Sequence, residues 1–531
     1  MTDASPGAER AFVLGLDGVP WSLIERWSDD GSLPNFSRLR REGAAGTLRS
    51  TTPATTAPAW PSIATGVQPD KHGIYGFRRL DSGYGHSMNT SADWKAAPIW
   101  RRLTPAVVGN VPMTYPAESI DGKMVSGMMT PTPGEGFTHP PSLREEILER
   151  IPEYAIGLDW GEYVDRNEAF LDEFEALLDG RIELLRLLMD DADWRLFFFV
   201  FTAPDRLQHL VWDESVIREV YRRLDGVLGD VMEYVEAHDA TLYVVSDHGF
   251  GAISKVANAN VVLAEERYLA RAEDSGTRGV LSALGVTKAN VRGWLEQTGI
   301  SEEEATSYLP QAFVDMVALQ VPGEHALYDV DFGATRAFVH GKGELYVNDT
   351  ERFDEGTVPP ESVDALKDEL AAAFESYEDP DTGSCPFDVH DGDDLFPTDR
   401  DSPDLVVTTV EGYDCLTLLT DDVFETPAGK AAGHLPEGIF LAWGPDVAPG
   451  VTPRDASVSD VAPTILHGAG RPVSERTDGR VLREIFEAGS TSARATVERT
   501  SVEGADSTPR VGSDGSDGSV KERLRGLGYL D

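Results

Sequence analysis

The sequence predicts an α/β protein with a mostly parallel central sheet, helices on both faces and an inserted capping region. Three observations lead there. Apolar runs alternate along the chain with segments of helical period, the order that builds parallel strands joined by crossover helices. The runs are continuous rather than alternating, as strands buried on both faces are. Three of them stop at or just before an aspartate: Ala11 to Leu16 at Asp17, Trp194 to Phe201 before Asp205, and Thr241 to Val245 before Ser246-Asp247-His248.

Taken in order, Ala11 to Leu16 reads as a buried strand ending in Asp17-Gly18, and Pro34 to Gly43 as a short helix with a glycine stop. A further strand then delivers Thr55-Thr56-Ala57-Pro58, where the Thr56 hydroxyl sits at a helix N-cap position and Pro58 falls in a first turn that has no amide partner to lose. Helices are expected at Pro98 to Leu103, Leu143 to Ile151, Glu168 to Met189 and Val216 to Glu236, with a strand at Ala106 to Val111. The most strand-like run holds Phe197, Phe198, Phe199 and Val200 in succession. Beyond Ala252 the pattern loosens into helical segments such as Arg278 to Glu296, with short strands at Ala337 to His340 and Glu344 to Asn348. The core is expected to resume with Asp404 to Thr408 and Gly438 to Trp443, followed by a helix at Val458 to Leu466. This gives a flexible N-terminus over 1–10, a catalytic core over 11–255 and 400–488, an insertion over 256–399, and a flexible acidic tail over 489–531. In that tail, Gly512 to Ser519 reads as a linker and Lys521 to Leu530 as a short terminal helix.

Composition narrows the class of function. At 531 residues with 41% hydrophobic content the chain is globular, and its 46 basic against 91 acidic residues give a net charge of −45. A surface of that sign repels phosphate backbones, so neither a nucleic acid polymer nor an anionic membrane is an expected partner. The acids are spread through every segment, which suits a salt-loaded cytoplasm where ionic strength screens self-repulsion. Cys385 and Cys415 form no CxxC pair, the first ten residues hold no apolar core of a signal peptide, and Leu196 to Phe201 is far too short to span a bilayer. A cytoplasmic protein without membrane insertion is the expectation.

Ligand sites in open α/β sheets gather at the carboxyl ends of the strands. Asp17, Asp205, His209, Asp247 and His248 offer five metal-ligating groups at or near such ends, and His434, in Gly433-His434-Leu435-Pro436, stands just before another strand. Oxygen and imidazole nitrogen donors suit a borderline divalent ion, zinc first, with manganese or iron as alternatives. Each residue alone has an ordinary reading: Asp17 as a turn aspartate, Asp205 as a helix cap, His434 as a loop histidine, Thr56 as an N-cap. Their repeated placement at strand ends favours a shared site. A hydroxyl at a helix N-terminus beside dications would be a nucleophile for a phosphoryl group.

These motifs in this order resemble the type I phosphodiesterase/nucleotide pyrophosphatase family of the alkaline phosphatase superfamily. They are Leu16-Asp17-Gly18, Thr56-Ala57-Pro58 with Ser62 to Gly66 and His72-Gly73, Asp205 to His209, Asp247-His248-Gly249 and Gly433-His434, with Asp460 to Leu466 and Asp478-Gly479-Arg480 closing the match. The resemblance implies an alkaline-phosphatase-like core and two divalent metal ions. Asp205, His209 and His434 would hold one, and Asp17, Asp247 and His248 the other with the Thr56 oxygen. It implies hydrolysis of a small-molecule phosphate ester, most directly a phosphodiester, through a phosphothreonine at Thr56. Ala59 and Trp60 stand where nucleotide pyrophosphatases place a phosphate-binding asparagine, which puts nucleotide substrates in question; Trp60 reads as core or as a pocket wall. The stretch Val108 to Pro116, with Asn110 and Tyr115, is expected to border the substrate pocket or to be structural. A sulfatase is excluded, because neither cysteine has the C-x-P-x-R setting. The alternatives kept open are a phosphomonoesterase, a phosphomutase and an inactive binding protein.

Overall fold

A computed structural model of the chain describes residues 9–158, 163, 166–190, 193–272, 330–427 and 432–501. The expected helices at Arg278 to Glu296 and Lys521 to Leu530, and the linker at Gly512 to Ser519, lie outside the described residues.

The molecule is built on one eight-stranded sheet in the spatial order Ala44–Arg49, Glu437–Trp443, Thr241–Val245, Ala11–Leu16, Leu196–Phe201, Ala106–Val111, Gly122–Ser126 and Thr138–His139. Ala11–Leu16 runs parallel to both of its neighbours, and Glu437–Trp443 and Thr138–His139 pair antiparallel. The phenylalanine run explains itself here. Phe197 packs edge-on to Tyr234 of helix Glu214–Ala237, whereas Phe198 meets Trp60 of helix Thr56–Thr65. Successive strand residues point to opposite faces, so helices cover this strand on both sides and all six of its residues are apolar and buried.

Elsewhere the elements follow the sequence with small shifts. The helix expected at Pro98 to Leu103 is a single 3-10 turn, Ile99–Arg101. The strand Leu405–Thr409 does not rejoin the large sheet as expected. It pairs with Glu344–Val347 and Phe387–Asp391 in a separate antiparallel sheet whose fourth strand is Ala337–His340. Its apolar residues face a second hydrophobic cluster, around Phe338, Leu345, Leu370 and Val407, rather than the main core. A hairpin of Arg78–Leu80 and His86–Met88 reaches from the core region into that cluster. Its Tyr84 stacks on Phe332 at 3.5 Å between ring centroids.

Among the described residues no helix is long and apolar enough to cross a membrane. Cys385 and Cys415 are both free thiols.

Candidate active site

The site lies at the carboxyl ends of three adjacent parallel strands. Asp17 follows the first, and its backbone N–H donates to the carbonyl of Phe201 at the end of the second. Gly18 turns the chain at φ +71°, where a side chain would be strained and its Cβ would stand 3.1 Å from Asp205. Its N–H donates to Asp247 Oδ1 at 3.3 Å, and its carbonyl accepts from Gln208 Nε2 at 2.8 Å, so one turn ties three strand ends together. Tyr221 OH in turn donates to Gln208 Oε1 at 3.0 Å.

Asp205 and His209 lie one turn apart on helix Ala203–Leu210, which puts both on one face. His434 arrives from the far end of the chain on strand Ala432–Leu435, which pairs antiparallel with Gly249–Ala252 in a register that sets His434 opposite Phe250, two residues past His248. The structure thus brings together all six expected ligands. His434 Nε2 is 3.2 Å from Asp205 Oδ1 and 3.0 Å from His209 Nε2, and His209 Nε2 is 3.4 Å from Asp205 Oδ1. His248 Nε2 is 3.5 Å from Asp17 Oδ1 and 3.3 Å from Asp247 Oδ2. One grouping differs from the expected division: His248 has reach to Asp205 and His434 as well as to Asp17 and Asp247, and its ring stacks on His434 at 3.9 Å.

The donor set fits cations. His434 Nδ1 faces the Ala54 carbonyl at 3.2 Å and His248 Nδ1 the Gly249 carbonyl at 3.0 Å; a carbonyl only accepts, so both nitrogens carry the proton. Burial holds His434 neutral, with its pKa pushed down to about 3. Its Nε2 is then a lone pair aimed at a carboxylate, an arrangement that a cation between them makes favourable. Asp247 Oδ2 is buried with no hydrogen-bond donor among the described residues. Burial, and then Asp247 and Asp205, push Asp17 well above the usual carboxylate range, and burial and Asp205 push Asp247 to about 8. Carboxylates packed this closely ionise readily only when positive charge enters with them.

Helix Thr56–Thr65 begins one residue earlier than expected. Thr55 is its N-cap and Thr56 its first residue, with no side-chain cap bond, so the Thr56 hydroxyl is not turned back onto its own helix. Thr56 Oγ1 instead lies 3.4 Å from Asp17 Oδ1 and 3.2 Å from His248 Nε2, fully buried. Trp60, one turn on, is wholly buried and donates its indole N–H to Asp17 Oδ2 at 3.4 Å; it is core and a partner of the site at once. His72 closes the far side of this helix through Ser62 Oγ at 3.0 Å. In the closing segment, Asp460 Oδ1 accepts from the Arg480 backbone N–H at 2.7 Å, and Asp478 Oδ2 from that of Gln68 at 2.9 Å, both structural ties.

Beside the cluster lies an open cleft whose lining includes Thr55, His434, Arg78, Lys342 and Glu344. Sequence reasoning missed these last three, because their neighbours in space come from a different sheet. Asn110 and Tyr115, expected either to border the substrate pocket or to be structural, do not line this cleft. Asn110 donates to the Val200 carbonyl at 2.6 Å, from a backbone at φ +59°.

A family model described as type I phosphodiesterase / nucleotide pyrophosphatase matches residues 11–430, a span holding every candidate ligand except His434. Among solved structures, human ectonucleotide pyrophosphatase/phosphodiesterase 5 is similar at 13% identity, covering 90% of this chain and 100% of that one, with a TM-score of 0.49. The murine protein, inactive and in complex with AMP, is also 13% identical over 90% of this chain and 100% of its own, with a TM-score of 0.48. No curated protein sequence matches the chain.

Proposed function

We infer the reaction from one premise, that the chain belongs to the type I phosphodiesterase/nucleotide pyrophosphatase family of the alkaline phosphatase superfamily. That family is metal-dependent and hydrolyses phosphate esters. Our reading of this member is a phosphodiesterase that works through Thr56. The observation that carries it is the Thr56 hydroxyl, buried at a helix N-terminus within 3.4 Å of both Asp17 and His248.

In this reading Thr56 Oγ1 attacks phosphorus in line with the leaving oxygen. The bond between phosphorus and that oxygen breaks, and the hydroxyl proton ends on the departing alcohol. A water then attacks the phosphothreonine, the bond from phosphorus to Oγ1 breaks, and a phosphate monoester leaves with Thr56 restored. Asp17, Asp247 and His248 would hold one divalent ion and Asp205, His209 and His434 a second, whose chemistry would be to lower the pKa of the attacking hydroxyl and of water and to offset charge on the phosphoryl oxygens. The protein's own part is to fix the attacking atom. Trp60 and Gly18 hold Asp17 and Asp247, Asp17 and His248 hold Thr56, and the positive end of helix Thr56–Thr65 favours an anion at the same point. A small-molecule ester fits the net charge of −45 better than a polymer does.

Thr56→Ala tests this directly. The variant is expected to lose hydrolysis of bis(4-nitrophenyl) phosphate while keeping close to the two divalent ions per chain expected in the wild type. Unchanged activity would move the nucleophile elsewhere, with Thr55 next in line, and an active protein free of divalent metal would sink the mechanism.

A further inference from the structure

The turn at Gly18 is fastened twice to the strand end that carries Asp247 and His248. Its N–H donates to Asp247 Oδ1 at 3.3 Å, and the N–H of Val19 donates to Ser246 Oγ at 2.9 Å. Ser246 Oγ in turn donates to the His248 carbonyl at 2.6 Å. Asp17, Asp247 and His248 are thereby set on one braced piece of backbone. The helix Ala203–Leu210, which carries Asp205 and His209, is bonded to that piece by Gln208, whose Nε2 donates to the Gly18 carbonyl at 2.8 Å. Gln208 is fully buried and stands directly before His209, so its bond spans the two groups of ligands.

A carbonyl only accepts, so this bond exists only while the Gln208 amide turns its NH2 group to Gly18. The amide oxygen then needs a donor on its other side, and the Tyr221 hydroxyl supplies one at 3.0 Å from Oε1. Tyr221 comes from a different helix, Glu214–Ala237, and is buried in the core with its ring edge-on to Trp27 at 5.2 Å. Burial raises its hydroxyl well above the ordinary pKa, which keeps it a donor. Without that donor a buried amide oxygen is left unpaired, a costly state. Turning the amide or shifting the helix relieves it by giving up the bond to Gly18.

We propose that Gln208 and Tyr221 are positioning residues that set the two metal-binding groups, Asp17 with Asp247 and His248 and Asp205 with His209 and His434, at their working separation. The proposal rests on the two-ion reading above. Its test is zinc uptake by metal-stripped protein, read by competition with a chromophoric chelator, with urea midpoints as the measure of stability. Tyr221→Phe removes one oxygen and keeps the ring. It is expected to raise the free zinc needed for half-loading about ten-fold, the lower end of what loss of a ligand's supporting hydrogen bond brings. Gln208→Met, which keeps the length without the amide, is expected to lose as much or more. The double variant should lose no more than Gln208→Met alone, because Tyr221 acts through Gln208. Asp225→Ala is the control: Asp225 lies one turn from Tyr221 on the same helix and accepts from Asn35 and Phe36, so its loss should lower stability and leave zinc uptake as in the wild type. Wild-type uptake in Tyr221→Phe overturns the proposal. So do additive losses in the double variant, or an equal loss in Asp225→Ala, either of which marks a general loosening of the fold. If Gln208→Met fails to fold, Tyr221→Phe against Asp225→Ala decides alone. A wild type that takes up fewer than two zinc ions per chain overturns the two-ion reading, and this proposal with it.

Discussion

Gly15→Ala puts a single methyl group where the structure has room for none. An ideal Cβ at residue 15 would lie 2.4 Å from Trp60 Cη2, 2.9 Å from Trp60 Cζ3 and 2.8 Å from Val200 Cγ2. Carbon atoms rest about 3.5–4.0 Å apart, so the indole must retreat by roughly 1 Å within a wholly buried site. Overpacking of that kind costs about 1–3 kcal/mol. The indole is also the donor to Asp17 and sits one turn from Thr56 on the same helix. A displacement of about 1 Å at a reacting group costs on the order of 100-fold in rate. Urea midpoints and kcat/KM on bis(4-nitrophenyl) phosphate, both at one salt concentration, should therefore fall together. Adding Trp60→Phe removes the clashing atoms, so the double variant should recover stability relative to Gly15→Ala, with a coupling of about 0.5–3 kcal/mol. Wild-type stability and rate in Gly15→Ala would refute the claim that this contact positions the nucleophile.

Three further outcomes are expected. Asp225 Oδ1 accepts the N–H groups of Asn35 at 3.0 Å and Phe36 at 2.9 Å at the start of helix Pro34–Glu42, and Asp225→Ala should lower the urea-derived stability by about 1–3 kcal/mol. Glu344 has a folded pKa raised by burial to about 7, above its unfolded value, so its contribution is full below about pH 4.5 and is lost as pH rises through about 7. Glu344→Gln escapes that loss, and its stability relative to wild type should rise between pH 5 and pH 8 by up to about 3 kcal/mol; a difference that does not change with pH would place the carboxyl's pKa near the ordinary value. Dialysis against a chelator should abolish diesterase activity and added divalent metal restore it, with full activity in metal-free protein as the contrary result.

What the sequence made legible follows from how local each signal is. Asp17, Asp205, Asp247 and His248 were readable because continuous apolar runs mark buried strands, and such strands present ligands at their carboxyl ends. Leu405–Thr409 has the same apolar look, yet it belongs to another sheet, since pairing partners are chosen by contacts far away in sequence. The start of helix Thr56–Thr65 was placed within one residue, but the direction of the Thr56 hydroxyl was not visible, because it depends on Asp17 and His248 across the fold. The double reach of His248 was hidden for the same reason, as was the meeting of Trp60 with Gly15. Arg78, Lys342 and Glu344 carry no motif at all; only the folded chain shows that they share a cleft.

The hairpin that carries Tyr84 into the second hydrophobic cluster has a consequence for how such a protein changes over generations. Asp17 and Asp247 follow strands of the large sheet, whereas Glu344 stands on the separate small one, Lys342 lies in the turn before it, and Arg78 opens the hairpin between them. Substitutions in the small sheet can reshape the cleft without moving a single ligand. Diverging descendants are thus free to remodel the cleft while inheriting the same cluster of carboxylates and imidazoles.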